Sequence, residues 1–298
     1  MNSNLKKFLR PIYHLFKHFI PFCVFHIQLI AKRRYKIATK DSFTGKIAVL
    51  ANGPSLKEVI PMLTSKEKFE GCDFIVMNLF ALEKQFAIIK PTHYCFADPM
   101  FYQDYAPRLN DIQKTFKILQ EEVNWTMNVY LSFFSEAECK MFLKYSGLTN
   151  PNLKIIKTNR IDFEGYKALR NYYYNTGYCM PKVGNVANLA IYISLLNGYK
   201  SIDVYGVDHD FFLSWAINER NELCAKEAHF YQNTDEVKLK PIVDTITGKG
   251  TVKIATYLSG LSVMFKSHDQ LQAFSEYKNA LIINMTKNSM IDSYQRGV

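Results

Sequence analysis

The sequence predicts an α/β fold built on a doubly wound, mostly parallel sheet, and three observations lead there. Short apolar segments rich in Val, Ile, Tyr and Phe recur along the chain, separated by segments with helical spacing. The first of them, Ile47 to Ala51, has no polar face, as a central strand covered by helices on both sides does. Polar residues close several of them, which would gather those residues along one edge of the sheet.

Taken in order, the first segment, Ile47 to Ala51, runs straight into Asn52-Gly53-Pro54-Ser55. Gly53 reaches backbone angles closed to other residues, Pro54 suits a first helical turn and Ser55 a cap, so N–H groups would face a phosphate at the carboxyl edge of the sheet. An ordinary β-to-α turn is the alternative. "CDFIVMN" ends at Asn78 and "PTHYCFAD" at Asp98; "TMNVYLS" and "LKIIKTN" follow. A helix from Gly184 to Asn197, closed by Gly198, leads into "SIDVYGVD". A long helix, Val252 to Tyr277, leads into "ALIINMT". Two polar-aromatic inserts, 160–182 and 209–247, interrupt this rhythm and are expected to form lids or binding loops. Residues 45–298 are thus expected to be one Rossmann-like domain with a lid insertion.

Composition fits that reading. At 298 residues and 48% hydrophobic, the chain can bury a large core. The six cysteines include no CxxC pair, which argues for reduced thiols in a cytosolic protein rather than a disulfide framework or zinc site. Residues 1–40 hold nine of the 37 basic side chains and none of the 27 acidic ones, leaving a body of 28 basic against 27 acidic residues. A nucleic-acid surface on the body is therefore not expected.

Within that basic arm, "HFIPFCVFHIQLIA" lies between Lys17 and "KRRYK". Its apolar run is shorter than the roughly 20 residues that span a bilayer, and no small-residue cleavage site follows it. The expectation is a basic amphipathic segment, residues 1–40, lying on the anionic inner face of the cell membrane, with a cytoplasmic, peripheral location. The alternative is a helix packed on its own domain or on a second subunit of a homo-oligomer.

The strand ends carry a resemblance. "NGPSLKE" after the first strand, Asn78 after the second, "ADPMFYQDY" after the third, "LLNGYKSIDVYGVD", an isolated "EAHFYQN" and a late "NMTKNS" together resemble the bacterial sialyltransferases of glycosyltransferase family 42, from about Lys46 to Ile291. The resemblance implies a GT-A-type fold and a transferase that moves sialic acid from CMP-sialic acid, with inversion and without a metal or other cofactor. The acceptor would be a glycan or glycolipid of surface polysaccharide or lipooligosaccharide. Carried over residue by residue, Asn52, Gly53 and Ser55 would hold the donor's phosphate and ribose, and Asn78 the nucleotide. Asp208 and Gly184 would line the donor pocket, and Asn288 and Ser289 would contact the cytosine. His229 would be the general base, a residue type that titrates near neutral pH. His14, His18 and His26 lie in the arm, His93 inside a strand and His268 in a polar stretch of the long helix, so His209 is the next candidate.

Two positions depart from the family. Where it places a pair of phosphate-assisting tyrosines, this chain reads "HDFFLSW", with Tyr231 as a substitute from the neighbouring loop. Where it has an Asn after the third strand, this chain has Asp98, a carboxylate suited to a donor-sugar hydroxyl or a cation rather than a phosphate. These departures motivate a second reading, a metal-dependent glycosyltransferase that uses a UDP- or GDP-sugar through Asp208 and Asp210, which strand alternation would send to one side. A third is a non-catalytic nucleotide-binding subunit docked to a membrane assembly.

Overall fold

In a computed structural model of the chain, residues 3–31, 35–64, 66–103, 108–227, 238–243 and 250–297 are described. The expected strands form as β1 Lys46–Leu50, β2 Cys72–Met77, β3 His93–Phe96, β4 Met127–Leu131, β5 Leu153–Lys157, β6 Ser201–Tyr205 and β10 Leu281–Asn284, joined by a short β11 at Gln295–Arg296. They pair in parallel in the order β11-β10-β6-β1-β2-β3-β4-β5. The chain runs outward from β1 through β5, then returns to the other side of β1 with β6. The order therefore reverses between β1 and β6, and a crevice opens beyond their carboxyl ends at such a reversal.

Alternation sorts each strand onto two cores. Ile47, Val49 and Ala51 join one, with α7 (Lys167–Asn175), α8 (Val186–Asn197) and α9 (Ile254–Tyr277). Ala48 and Leu50 join the other, with α5 (Leu109–Glu121) and α6 (Glu136–Ser146). Single turns α2 (Leu56–Val59), α3 (Lys66–Phe69) and α4 (Phe86–Ile89) complete the crossovers. Every α8 residue after Val186 is buried, because this helix is apolar all round and lies between the sheet and α9. The α9 residues Leu261, Met264, His268, Leu271 and Ser275 form one buried stripe at helical spacing. The insert 160–182 folds as coil plus α7. The described part of the insert 209–247 forms a three-stranded antiparallel sheet, β7 (Trp215–Ile217), β8 (Leu223–Glu227) and β9 (Lys238–Pro241).

Part of the basic arm packs on the domain. Residues Ser3–Ala31 form one helix, α1, whose Phe25 and Leu29 are only 2% and 8% exposed and belong to the first core, together with Ile37. The alternative of packing on its own domain holds for this part of the arm, so a cut at residue 40 would strip side chains from the core. No described helix is long and apolar enough to cross a membrane. All six cysteines are free.

Candidate functional site at the β1–β6 switch point

The loops after β1 and β6 interlock. The Ala51 N–H donates to Tyr205 O and the Gly53 N–H to Gly206 O, both at 2.9 Å. Glycine at 53 is a requirement of that approach, since a Cβ there would sit 1.9 Å from Asp208 Oδ2 and 2.4 Å from Gly206 O. Gly206 has φ +69° and faces Ala51 O in the same way. The result is a cleft of about 360 Å³ lined by Asn52, Gly53, Asn78, Asn185, Asp208 and His209. A second recess of about 320 Å³ shares Asn78 and Asn185 and adds Asp98, Phe134, Arg160 and Gly184.

The structure brings together Asn52, Gly53, Asn78, Asp98, Gly184 and Asp208 of the sequence-derived set, and changes the reading of several. Ser55 makes no capping bond; its Oγ donates to Asp208 Oδ2 at 3.0 Å. The helix it was expected to cap is a single turn, so the helix-dipole argument for a phosphate beside Ser55 falls away, and a carboxylate already occupies the turn. Asn78 holds φ +53°, and its Oδ1 is buried with no hydrogen-bond partner, an orphan acceptor on the cleft wall. Asp98 accepts from Met100 N at 2.9 Å as the cap of a 3₁₀ turn and remains exposed. Gly184 is packed against α9, where a Cβ would meet Met264 Cα at 2.7 Å.

The two cytosine-side candidates lie apart from these recesses. Ser289 is 4% exposed, and its Oγ donates to Val207 O at 2.6 Å and accepts from Ile291 N at 3.2 Å, so it staples its loop to the β6 exit. Neither Ser289 nor exposed Asn288 lines the two recesses. Asp208 and Asp210 are not on a strand, because β6 ends at Tyr205 and His209 between them is left-handed at φ +55°. Strand alternation therefore does not place the two acids on one side. Among the described residues, no group of three or more His, Cys, Asp or Glu side chains could hold a metal ion. His229 and Tyr231 lie outside the described residues.

Sequence reasoning missed two features. Arg160 follows β5 and donates to Ala97 O, Ser132 O and Val183 O, each at 3.3 Å, while its guanidinium stacks 4.0 Å over the Phe134 ring. One cation thus ties the exits of β3 and β4 and lines the second recess. It occupies the strand-end position that flagged the other candidates, but read as the first residue of an insert. The second feature is a polar chain behind the cleft. Asn185 Nδ2 lies 3.0 Å from His209 Nε2, His209 Nε2 3.0 Å from His268 Nε2, and His268 Nδ1 2.8 Å from Tyr294 Oη. Far from lying on a polar stretch, His268 is fully buried.

The partners fix the protons. Asn185 Oδ1 accepts from Asn188 N at the start of α8, so its Nδ2 faces His209, and His209 Nε2 must accept. His268 then carries its proton on Nε2 and accepts from Tyr294 at Nδ1. His209 is left with a donating Nδ1–H on a ring that lines the cleft.

Burial pushes His209 down to about 4, with Asp210 opposing, and His93 down to about 3; His268 is lowered well below its ordinary value by burial and then by His209. All three are neutral when folded and gain protons on unfolding below about pH 6.5, so stability is full above that pH and falls as pH drops toward 4. Asp162, pushed up to about 6 by burial, opposes them with one proton. Urea unfolding should show a lower stability at pH 5 than at pH 7, by about 1.4 kcal/mol per pH unit for each net proton. A His268→Gln variant should flatten that slope, and identical slopes would contradict the assignment.

The chain matches no family model and no curated protein. Among solved structures it is similar to the MAf glycosyltransferase from Magnetospirillum magneticum AMB-1, at 13% identity and a TM-score of 0.45. The match covers 89% of this chain and 36% of that one, so this chain spans about a third of the length of that structure.

Proposed function

We propose that the chain is a glycosyltransferase that uses a nucleotide-activated sugar, with CMP-sialic acid as the donor and a glycan or glycolipid of surface polysaccharide or lipooligosaccharide as the acceptor. The observation that carries this reading is the two-part cleft, with hydroxyl-binding and amide groups at the strand reversal and a guanidinium in the adjoining recess. Asp208 suits ribose hydroxyls, as an acid at a strand end does in dinucleotide-binding sheets. The orphan Asn78 Oδ1 suits a donor such as a base amino group. Arg160 suits an anionic phosphate or carboxylate in bidentate geometry. The ordered strand-end set that resembles family 42 supports the choice of donor.

In this reading the acceptor hydroxyl attacks the anomeric carbon, the bond from that carbon to the phosphate oxygen breaks, and CMP leaves with the bonding pair. His229 takes the hydroxyl proton. The donating Nδ1–H of His209 supplies a hydrogen bond to the departing phosphate, a role that the "HDFFLSW" segment gives to no tyrosine. Phe211 and Trp215 of that segment instead pack with Tyr257 of α9, which stacks on Trp215 at 4.7 Å.

Nucleotide release from a panel of nucleotide sugars, with and without EDTA, tests the proposal. CMP-sialic acid should be consumed whether or not EDTA is present. Exclusive, EDTA-sensitive use of a UDP- or GDP-sugar would replace it with the metal-dependent reading, and turnover of no donor would leave a binding subunit.

A further inference from the structure

Helix α1 has two apolar faces, and among the described residues only one is covered. On the covered face the Phe25 ring meets Phe163 at 4.8 Å and Tyr173 at 5.1 Å, and His26 Nε2 lies 3.0 Å from Tyr173 Oη. At about 100° per residue, Ile12, Phe16, Phe19, Ile20, Ile27 and Ile30 fall on a separate arc roughly 100° wide, turned well away from that face. They are 41%, 66%, 51%, 69%, 63% and 82% exposed. Over those residues the strip is about 27 Å long.

Cations border the strip. Lys17 and Arg10, both exposed, fall about 60° and 80° past Ile20, between the strip and the covered face. Lys17 also lines a recess of about 300 Å³ with His18, Glu164, Lys167 and Arg170. Arg170, whose Nε is buried without a hydrogen-bond partner, adds a third cation to the wall of this recess beside Lys17 and Lys167. The charge pattern selects the occupant of the strip. Nine cations and no acid lie in residues 1–40, so pairing two copies through this face would bring like charges together with no acid from either arm to offset them. An anionic bilayer supplies the opposite charge and accepts the convex face of a single helix.

We propose that α1 lies in the plane of an anionic phospholipid surface, with Phe16, Phe19, Ile20, Ile27 and Ile30 in the headgroup–acyl boundary and a lipid phosphate in the recess of Lys17, Lys167 and Arg170. This assignment stands independently of any transferase activity. It goes beyond a general affinity of the arm by dividing α1 into a face that holds the fold and a face that holds the membrane.

Co-sedimentation of the full chain with vesicles tests it, comparing phosphatidylcholine alone with phosphatidylcholine mixed with phosphatidylglycerol. Binding should appear on the mixed vesicles and weaken with salt. Phe16→Glu with Ile20→Glu should lower it at least about tenfold with the circular dichroism unchanged, because neither residue packs on the body. Lys17→Ala with Lys167→Ala should lower binding about fivefold per charge removed. If the glutamate variant misfolds, this lysine pair decides the matter. The proposal is overturned if the wild-type chain ignores anionic vesicles or if both folded variants bind like wild type. It is equally overturned if sedimentation velocity shows a dimer that the glutamate variant dissociates while vesicles bind neither form.

Discussion

Exchanging His229 for alanine is expected to lower turnover of the nucleotide sugar by about 100- to 10,000-fold while leaving donor affinity nearly unchanged. A sugar hydroxyl is a poor nucleophile until its proton is removed, so loss of the base raises the barrier without touching the contacts that hold the donor. The position lies between β8 and β9, whose pairing closes the small antiparallel sheet that follows the cleft-lining segment 208–211. His209 is the competing histidine, and its surroundings argue against a base role. Its Nε2 faces inward to Asn185 and His268, and burial holds the ring down to about 4, too low for a strong base near neutral pH. Initial rates and donor titration of His229→Ala and His209→Ala separate the two. Turnover of His229→Ala within a few-fold of wild type, with His209→Ala inactive, would move the base to His209.

Gly53→Ala is expected to remove nucleotide binding. The added carbon would lie 1.9 Å from Asp208 Oδ2 and 2.4 Å from a backbone oxygen, Gly206 O, so the two interlocked loops cannot both keep their places. The carboxylate can swing aside, but the carbonyl belongs to the β6 exit, which is tied to β1 through the Gly53 N–H. Separating the loops opens the cleft wall that carries Asn52 and Asp208. The overall fold should survive, because the sheet and both cores lie below the loops; unfolding of the variant by circular dichroism would show that the interlock supports the fold as well as the site.

The sheet was legible because its central strands, β1 above all, are buried on both faces and several are followed by a polar residue, a pattern fixed by two-sided burial. Asn52, Asn78, Asp98 and Asp208 could be placed on one edge for the same reason. Arg160 could have been read by the same rule, since it directly follows the fifth strand segment. The histidine chain could not, because the contact of His209 with His268 depends on how α9 packs against the β6 exit, a long-range relation with no local trace. Ser289 misled because a polar residue in a strand-end loop can face the protein as readily as a ligand. In α1, covered and uncovered faces both carry large apolar side chains, and hydropathy alone does not distinguish a core from an unpartnered surface.

The central claim is that the crevice at the β1–β6 reversal is a nucleotide site, and titration of CMP into the purified full-length chain, with Gly53→Ala alongside, tests it most directly. Saturable binding by the wild-type chain, lost in a Gly53→Ala variant that retains its circular dichroism, is the result this account predicts. Equal binding by both folded proteins would place the nucleotide elsewhere, and no binding of CMP, UDP or GDP by the wild-type chain would contradict the nucleotide site itself.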